Sequence, residues 1–314
     1  MPEYDKRKLG KQAQEMGFIR DTLEKVLRLS EILKYINSDP LLSECLALKG
    51  GTAINLTVFN LPRLSVDIDL DYTHNNSREE MLEERRRISD SIVKYMVMSG
   101  YELSSKSKSY HSLDSHVFSY VNAAGMKDNI KVETNYSLRS HILPVEQRPI
   151  ETLGILEPFM VRSLASIEIF GSKIVALLTR AAARDLYDIN NMVYFGLFDK
   201  TETPLLKKCA IFYYAVGSEN VSETFHLDKI DELTEYKIRT DLYPVIRKIE
   251  RFDLTAAKQR VKDYLSMFSE ISDNEAEFIK TFKNGGYHPE LLFEDAQILE
   301  RIRNHPMAIW KTRG

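Results

Sequence analysis

Asp67, Asp69 and Asp71 stand at every second position in RLSVDIDLDY, alternating with Val66, Ile68, Leu70 and Tyr72. On an extended strand, residues two apart project from one face, about 6–7 Å apart along the chain. The alternation predicts a strand with an apolar face toward a core and three carboxylates, with Ser65, on the other. Like charges so close repel unless a cation neutralises them, and hard divalent cations such as Mg2+ take carboxylate oxygens. A calcium-binding EF-hand loop opens with the same D-x-D-x-D but needs Gly and Glu at its sixth and twelfth places. Tyr72 and Arg78 occupy those places here, so that reading fails. Aspartate is depleted in strands, which favours a metal role for Asp67 and Asp69 over a solvated strand face. Asp71 shares the face, but two carboxylates already suffice to begin a site.

A third ligand is expected from a neighbouring strand. In IKVETNY, Ile130, Val132 and Thr134 alternate with Lys131, Glu133 and Asn135, so Glu133 projects from the polar face. Two carboxylates at i and i+2 with one across the sheet can hold two Mg2+ ions for in-line phosphoryl transfer. Just upstream, Lys49-Gly50-Gly51-Thr52 lacks the spacing of a Walker A loop. A glycine pair ahead of a helix starting at Thr52 still lets backbone N–H groups approach a phosphate.

The second concentration of chemistry is SKIVALLTRAAARDLYDINNMV. Read as one helix, it places Lys173, Arg180, Arg184 and Asp188 within about 80° of one another, opposite Ile174, Leu178, Leu186 and Ile189. Such a stripe is either a solvated face with Arg184–Asp188 pairing or a set of cations for triphosphate oxygens. In the second reading Lys173 and Arg180 contact the nucleotide, and Asp188 orients an arginine or assists proton transfer.

The surrounding elements must position these groups. Apolar spacing predicts a helix over 11–36, LLSECLALKGG leads into the glycines, and 78–98 reads as a charged surface helix. SHVFSYVN and NIKVETNYSLR read as strands joined by a turn at AAGMKDN. Helix signals dominate from Ser166 onward. The expected organisation is an α/β portion over 1–160 and a helical portion over 161–314, with a boundary near 150–165.

Bulk properties narrow the classes. The 314 residues are 43% hydrophobic and 28% charged with a net charge of −3, so any nucleic-acid contact must come from local basic patches. Cys45 and Cys209 lack CxxC or Cys/His spacing and are expected to be buried thiols. No apolar run reaches a membrane span and the N-terminus does not read as a signal peptide, so the expected location is cytoplasmic.

Gly50-Gly51-Thr52, Ser65-x-Asp67-x-Asp69, Glu133 and K-x-x-A-L-x-x-R-x-x-x-R-D-x-x-D from Lys173 to Asp188 together resemble the AbiEii/AbiGii-type nucleotidyltransferase toxins. YHPELLFEDAQILERIRNHPMAIWK, residues 287–311, is similar to the end of longer family members. The interval between the glycines and D-x-D is longer than usual in that superfamily, which implies an extended loop. The resemblance implies a polymerase-β-like core of α+β class with a small mixed sheet, followed by a helical domain. It also implies a toxin paired with an AbiEi-type antitoxin, moving NMP from an NTP to RNA, notably the tRNA acceptor end, and so blocking translation in phage defence. By position, Asp67, Asp69 and Glu133 would bind Mg2+ (or Mn2+), Lys173 the nucleotide, and Asp188 would be a further acid. Ser65 matches a position that can be phosphorylated in silenced relatives. RNA contacts are sought among Lys106, Lys108, Arg139, His141, Lys237, Arg239, Arg247 and Arg251. The alternatives are a metal-dependent nuclease or phosphatase, a toxin modifying a protein target, and a non-catalytic nucleotide- or RNA-binding module.

Overall fold

A computed structural model describes residues 4–150, 158–218 and 225–313. The chain divides into two compact units. The first comprises Met1–Arg139, Val145–Leu164 and Pro244–Glu250, the second Ser140–Pro144, Ala165–Tyr243 and Arg251–Gly314. Of the stretch expected to hold a boundary, residues 151–157 lie outside the described residues.

The first unit opens with α1 (Lys6–Met16) and α2 (Arg20–Ile36), where a single helix over 11–36 was expected. Gly17 causes the break: its φ of 78° is left-handed, and its N–H closes α1 onto Gln14. α3 (Pro40–Cys45) starts on the Asp39 carboxylate and runs directly into β1 (Leu46–Lys49). A short α4 (Gly50–Ala53) continues as one π-turn over Ile54–Val58 and leads by a loop into β2 (Asp67–Tyr72). α5 (Arg78–Met98) is the expected surface helix. Ser77 and Glu80 close a capping box at its start, each side chain accepting from the other's backbone N–H.

The strands β3 (Glu102–Leu103), β4 (Lys108–Ser109), β5 (Leu113–Val121), β6 (Lys127–Asn135), β7 (Glu146–Ile150) and β8 (Phe159–Ser163) complete one mixed sheet. Its order is β3-β5-β6-β2-β1-β8-β7, with β4 paired to β5. The α+β class is as expected, but eight strands make a larger sheet than anticipated, because β3, β4 and β7 add short flanking ladders. β2 lies between antiparallel β1 and parallel β6. Ile68, Leu70 and Tyr72 are fully buried on its core face beside Ile130 and Val132 of β6. α2 is tied to the β5–β6 turn by charge as well as packing. Ala123 N–H donates to Glu24 at 2.8 Å, and the same buried glutamate receives the Arg28 guanidinium at 2.7 Å.

The second unit is helical among its described residues: α6 (Ser166–Arg180), α7 (Ala183–Tyr194), α8 (Thr203–Gly217), the single turn α9 (Glu235–Lys237), α10 (Leu254–Ser266), α11 (Asp273–Lys283), α12 (Ala296–Ile302) and α13 (Pro306–Arg313). Buried Glu168 on α6 accepts the N–H groups of Ile142 and Leu143 and the Tyr213 hydroxyl, which pins Ser140–Pro144 into this unit. α6 and α8 touch at Gly171, where a Cβ would lie 2.7 Å from Cys209 Cβ and 3.2 Å from the Ala210 nitrogen. Gly171→Ala therefore overpacks this crossing and should cost about 1–3 kcal/mol, read as a lowered midpoint in chemical denaturation.

Candidate active site

The polar face of β2 carries the first cluster. In-register pairing sets Asp69 beside Glu133 and Asp67 beside Lys131 on β6, while Lys49 on β1 lies opposite Asp69. Glu133 is fixed from two sides: Ser115 Oγ donates to Oε1 at 2.9 Å and Lys131 Nζ to Oε2 at 3.0 Å. The Lys131 ammonium also stands 4.0 Å from Asp67 Oδ2. Burial pulls this lysine down, but Glu133 and Asp67 hold it above its ordinary value. With Lys49 it offsets the repulsion among the carboxylates.

Burial pushes the Asp69 carboxyl above the usual range, Asp67 and Glu133 push it further, and Lys49 and Lys131 oppose them. Neither Asp67 nor Asp69 accepts a protein hydrogen bond through its carboxylate among the described residues. Part-buried carboxylates normally find donors; two without them, beside a third, are a hard-oxygen donor set of the kind Mg2+ or Mn2+ takes. The donor types fit such an ion, while the three residues do not bring one oxygen each within 4.8 Å of one another. Asp71 differs in surroundings although it shares the face. It is fully buried, and Lys49 Nζ neutralises it at 2.5 Å, so its charge is spent within the fold.

The glycine turn lies directly over this face. Gly50 has φ 68°, and a Cβ there would meet Asp69 Oδ2 at 2.7 Å. A Cβ on Gly51 would lie 2.8 Å from Nη2 of Arg63, a buried arginine, and 3.3 Å from Ser65 Oγ. Both glycines are thus needed for close approach. Thr52 is turned inward. Its side chain is fully buried, and its hydroxyl donates to the Asp67 carbonyl and is hydrogen-bonded to the Ser65 hydroxyl, fastening the start of β2 to the turn. Any phosphate contact at this residue falls to its backbone N–H, one of the first N–H groups of a helical run and so without an intrahelical acceptor.

The second cluster lies in the second unit, and the continuous helix expected over 173–193 is corrected there. Ala181 adopts φ 47°, ends α6, and α7 restarts at Ala183. A left-handed alanine costs about 1–3 kcal/mol and persists only where surrounding structure holds it. The break folds α7 back so that two aspartates reach one lysine. Lys173 Nζ lies 2.9 Å from Asp185 Oδ1 and 3.1 Å from Asp188 Oδ2, with all three residues buried. Arg180 Nε reaches Asp185 Oδ2 at 2.7 Å while its side chain stays 64% exposed. Burial pushes Asp185 up, but Lys173 and Arg180 hold it below the usual carboxylate range. The break makes Asp185 the centre of this cluster.

Lys49, Arg63, Ser115, Lys131 and Asp185 were assigned no site role from the sequence. Lys131 alternates with Glu133 in IKVETNY and could have been found by the same period-two count; Ser115 and Arg63 depend on strand pairing and loop packing. Of the residues sought for RNA contact, Lys106, Lys108, Arg239, Arg247 and Arg251 are exposed. His141 is corrected: it is buried against Glu168 and unavailable to a polyanion.

A family model described as "Nucleotidyl transferase AbiEii toxin, Type IV TA system" matches residues 31–276. Among solved structures, MenT4, a nucleotidyltransferase toxin from Mycobacterium tuberculosis, superposes with TM-score 0.66 at 16% identity, over 98% of this chain and 99% of that chain. The E. coli CdnC:HORMA-deltaN complex aligns over 96% of this chain and 97% of that one at 11% identity, but its TM-score of 0.26 carries no structural argument. No curated protein matches the sequence.

Proposed function

The chain belongs to the AbiEii nucleotidyltransferase toxin family of type IV toxin–antitoxin systems, and from that premise we propose that it moves NMP from an NTP to the 3′ acceptor end of tRNA. Translation stops because the modified end cannot be charged. The partner is an AbiEi-type antitoxin, the setting is cytoplasmic phage defence, and no helix among the described residues is long and apolar enough to cross a membrane. The observation that carries this reading is the pair Asp67 and Asp69, whose carboxylates accept no hydrogen bond among the described residues, with Asp69 in register with Glu133 and close against Gly50.

In the reaction, the RNA 3′-oxygen bonds to the α-phosphorus of the NTP. The bond from that phosphorus to the pyrophosphate oxygen breaks, and the hydroxyl proton leaves to a carboxylate of the Asp67–Asp69–Glu133 set. Asp67, Asp69 and Glu133 would hold Mg2+, which would supply charge neutralisation and a lowered pKa for the attacking hydroxyl. Ser115 and Lys131 hold Glu133 in one orientation. Gly50 and Gly51 admit phosphate oxygens close to backbone N–H groups. Lys173, which the family motif assigns to the nucleotide, is held by Asp185 and Asp188 within the second unit, where Arg180 presents a side chain that is 64% exposed. RNA backbone contacts suit the groove of the first unit lined by Arg78, Arg86, Tyr110 and His111, where arginines meet phosphates and an exposed tyrosine stacks on a base.

Gly50→Ala would displace the Asp69 carboxylate it touches. Misplacement of a reacting group by about 1 Å costs on the order of 10²-fold in rate, so transfer should fall by about that factor while the fold survives. Steady-state kinetics beside thermal denaturation check it. The reading as a whole is tested by sequencing RNA 3′ ends after induction of the toxin in cells. Untemplated nucleotides on tRNA ends are expected; shortened RNA would point to a nuclease, and unaltered RNA with labelled protein to a protein target.

A further inference from the structure

Where α3 ends and β1 begins, three side chains of different chemistry converge, away from the carboxylate face. Cys45 Sγ lies 3.8 Å from His74 Nδ1 and 3.6 Å from Glu84 Oε2, and His74 Nδ1 lies 3.0 Å from the same oxygen. Among the described residues this is the one group of three or more Cys, His, Asp or Glu whose donor atoms all lie within 4.8 Å of one another.

A tetrahedral zinc ion has bonds of about 2.3 Å to sulfur and about 2.0–2.2 Å to nitrogen and carboxylate oxygen, which sets donor–donor edges of about 3.4–3.6 Å. The three measured edges fall around that range. The donor types agree as well: thiolate, imidazole and carboxylate together suit zinc, whereas Mg2+ takes oxygen. We propose that Cys45, His74 and Glu84 form a zinc site, with a water completing the tetrahedron on the side where His74 and Glu84 are 27% and 24% exposed. The site has the outer support that metal carboxylates need. Tyr72 donates its hydroxyl to Glu84 Oε2 at 2.6 Å, and Asn76 donates to Tyr72 at 2.9 Å. On binding, the thiol of Cys45 loses its proton to solvent and the sulfur–zinc bond forms, so one proton is released per metal.

The site's place in the fold gives it a task. Cys45 immediately precedes β1, His74 follows β2 by one residue, and Glu84 sits on α5. Leu46 pairs with Tyr72 at this end of the β1–β2 ladder, and Lys49 with Asp69 at the other. Zinc here clamps to α5 the two strands that carry the glycine turn and the aspartates. Such a clamp serves the fold whether or not the chain transfers nucleotides.

Cobalt(II) titrated into the metal-free full chain is the probe. Expected are visible bands of tetrahedral intensity and a near-ultraviolet thiolate-to-cobalt band, saturating at one equivalent, bleached by Zn2+ and unaffected by Mg2+. Cys45→Ser should abolish the thiolate band while Cys209→Ser and Asp69→Asn retain it, and Tyr72→Phe should weaken binding by about 10–100-fold. Should Cys45→Ser misfold, the unaltered chain still decides the matter. Zn2+ is expected to raise its melting temperature and slow alkylation of Cys45. Absence of the thiolate band in the unaltered chain, or its survival in folded Cys45→Ser, would overturn the site and leave a hydrogen-bonded knot.

Discussion

Asp69→Asn is expected to lower nucleotide transfer by about 10³-fold or more while making the folded chain more resistant to heat. The rate term follows from losing one of the oxygens that hold the metal. That is worth several kilocalories of transition-state charge stabilisation, at about 1.4 kcal/mol per decade. The stability term has the opposite sign for a reason visible in the site. Burial and the adjacent Asp67 and Glu133 raise the Asp69 carboxyl above its unfolded value. A carboxyl raised in this way favours the folded state when protonated, and that contribution is lost as pH rises through the folded pKa. At neutral pH the ionised group is therefore a burden on the fold, and the neutral amide relieves it. Melting curves without divalent metal should show the variant above the parent, and added Mg2+ should narrow the gap by stabilising only the parent. A variant both inactive and unstable would assign Asp69 to structure instead.

Lys173→Ala is expected to produce the largest loss of stability. Lys173 neutralises two buried carboxylates, Asp185 and Asp188, at 2.9 and 3.1 Å. Removing one partner of a buried ion pair leaves charge uncompensated, and such changes cost about 3–5 kcal/mol. Arg180 mitigates this for Asp185 through its bond at 2.7 Å. Converting Asp188 to Asn in the Lys173→Ala background should return part of the loss. The pH dependence has a defined sign. Lys173 and Arg180 hold Asp185 below its unfolded value, so its contribution is fully present above about pH 4 and is lost as pH falls through the lower folded value. Denaturation midpoints of the parent should fall more steeply in that acid window than those of Asp185→Asn.

The carboxylate face was legible because a strand's period of two is a local property. Counting alternate residues in VDIDLDY and IKVETNY placed Asp67, Asp69 and Glu133 on polar faces, and parallel pairing of β2 with β6 then set Asp69 beside Glu133. Asp71 shows where that count stops. Its face is the same, but its burial depends on Lys49 reaching across from β1, which no spacing encodes. The kink at Ala181 was illegible for a different reason. TRAAARD is strongly helix-forming by propensity, and only packing in the second unit holds an alanine left-handed. Reading through it as straight helix produced a cationic stripe, whereas the break yields a buried lysine between two aspartates. His141 was misjudged similarly, because residue type suggested a polyanion contact while burial assigned its side chain to the interior. Cys45 was read as a buried thiol, which it is. His74 and Glu84, at 29 and 39 residues' separation, become its neighbours only in the fold.

The central claim is that the Asp67–Asp69–Glu133 face transfers nucleotides to RNA. It is tested most directly by incubating the purified chain and its Asp69→Asn variant with α-labelled NTP, Mg2+ and total tRNA, then resolving RNA from protein. Label covalently attached to RNA 3′ ends by the parent, and none by the variant, is the predicted result. Equal labelling by both, or RNA shortened without label, would contradict it.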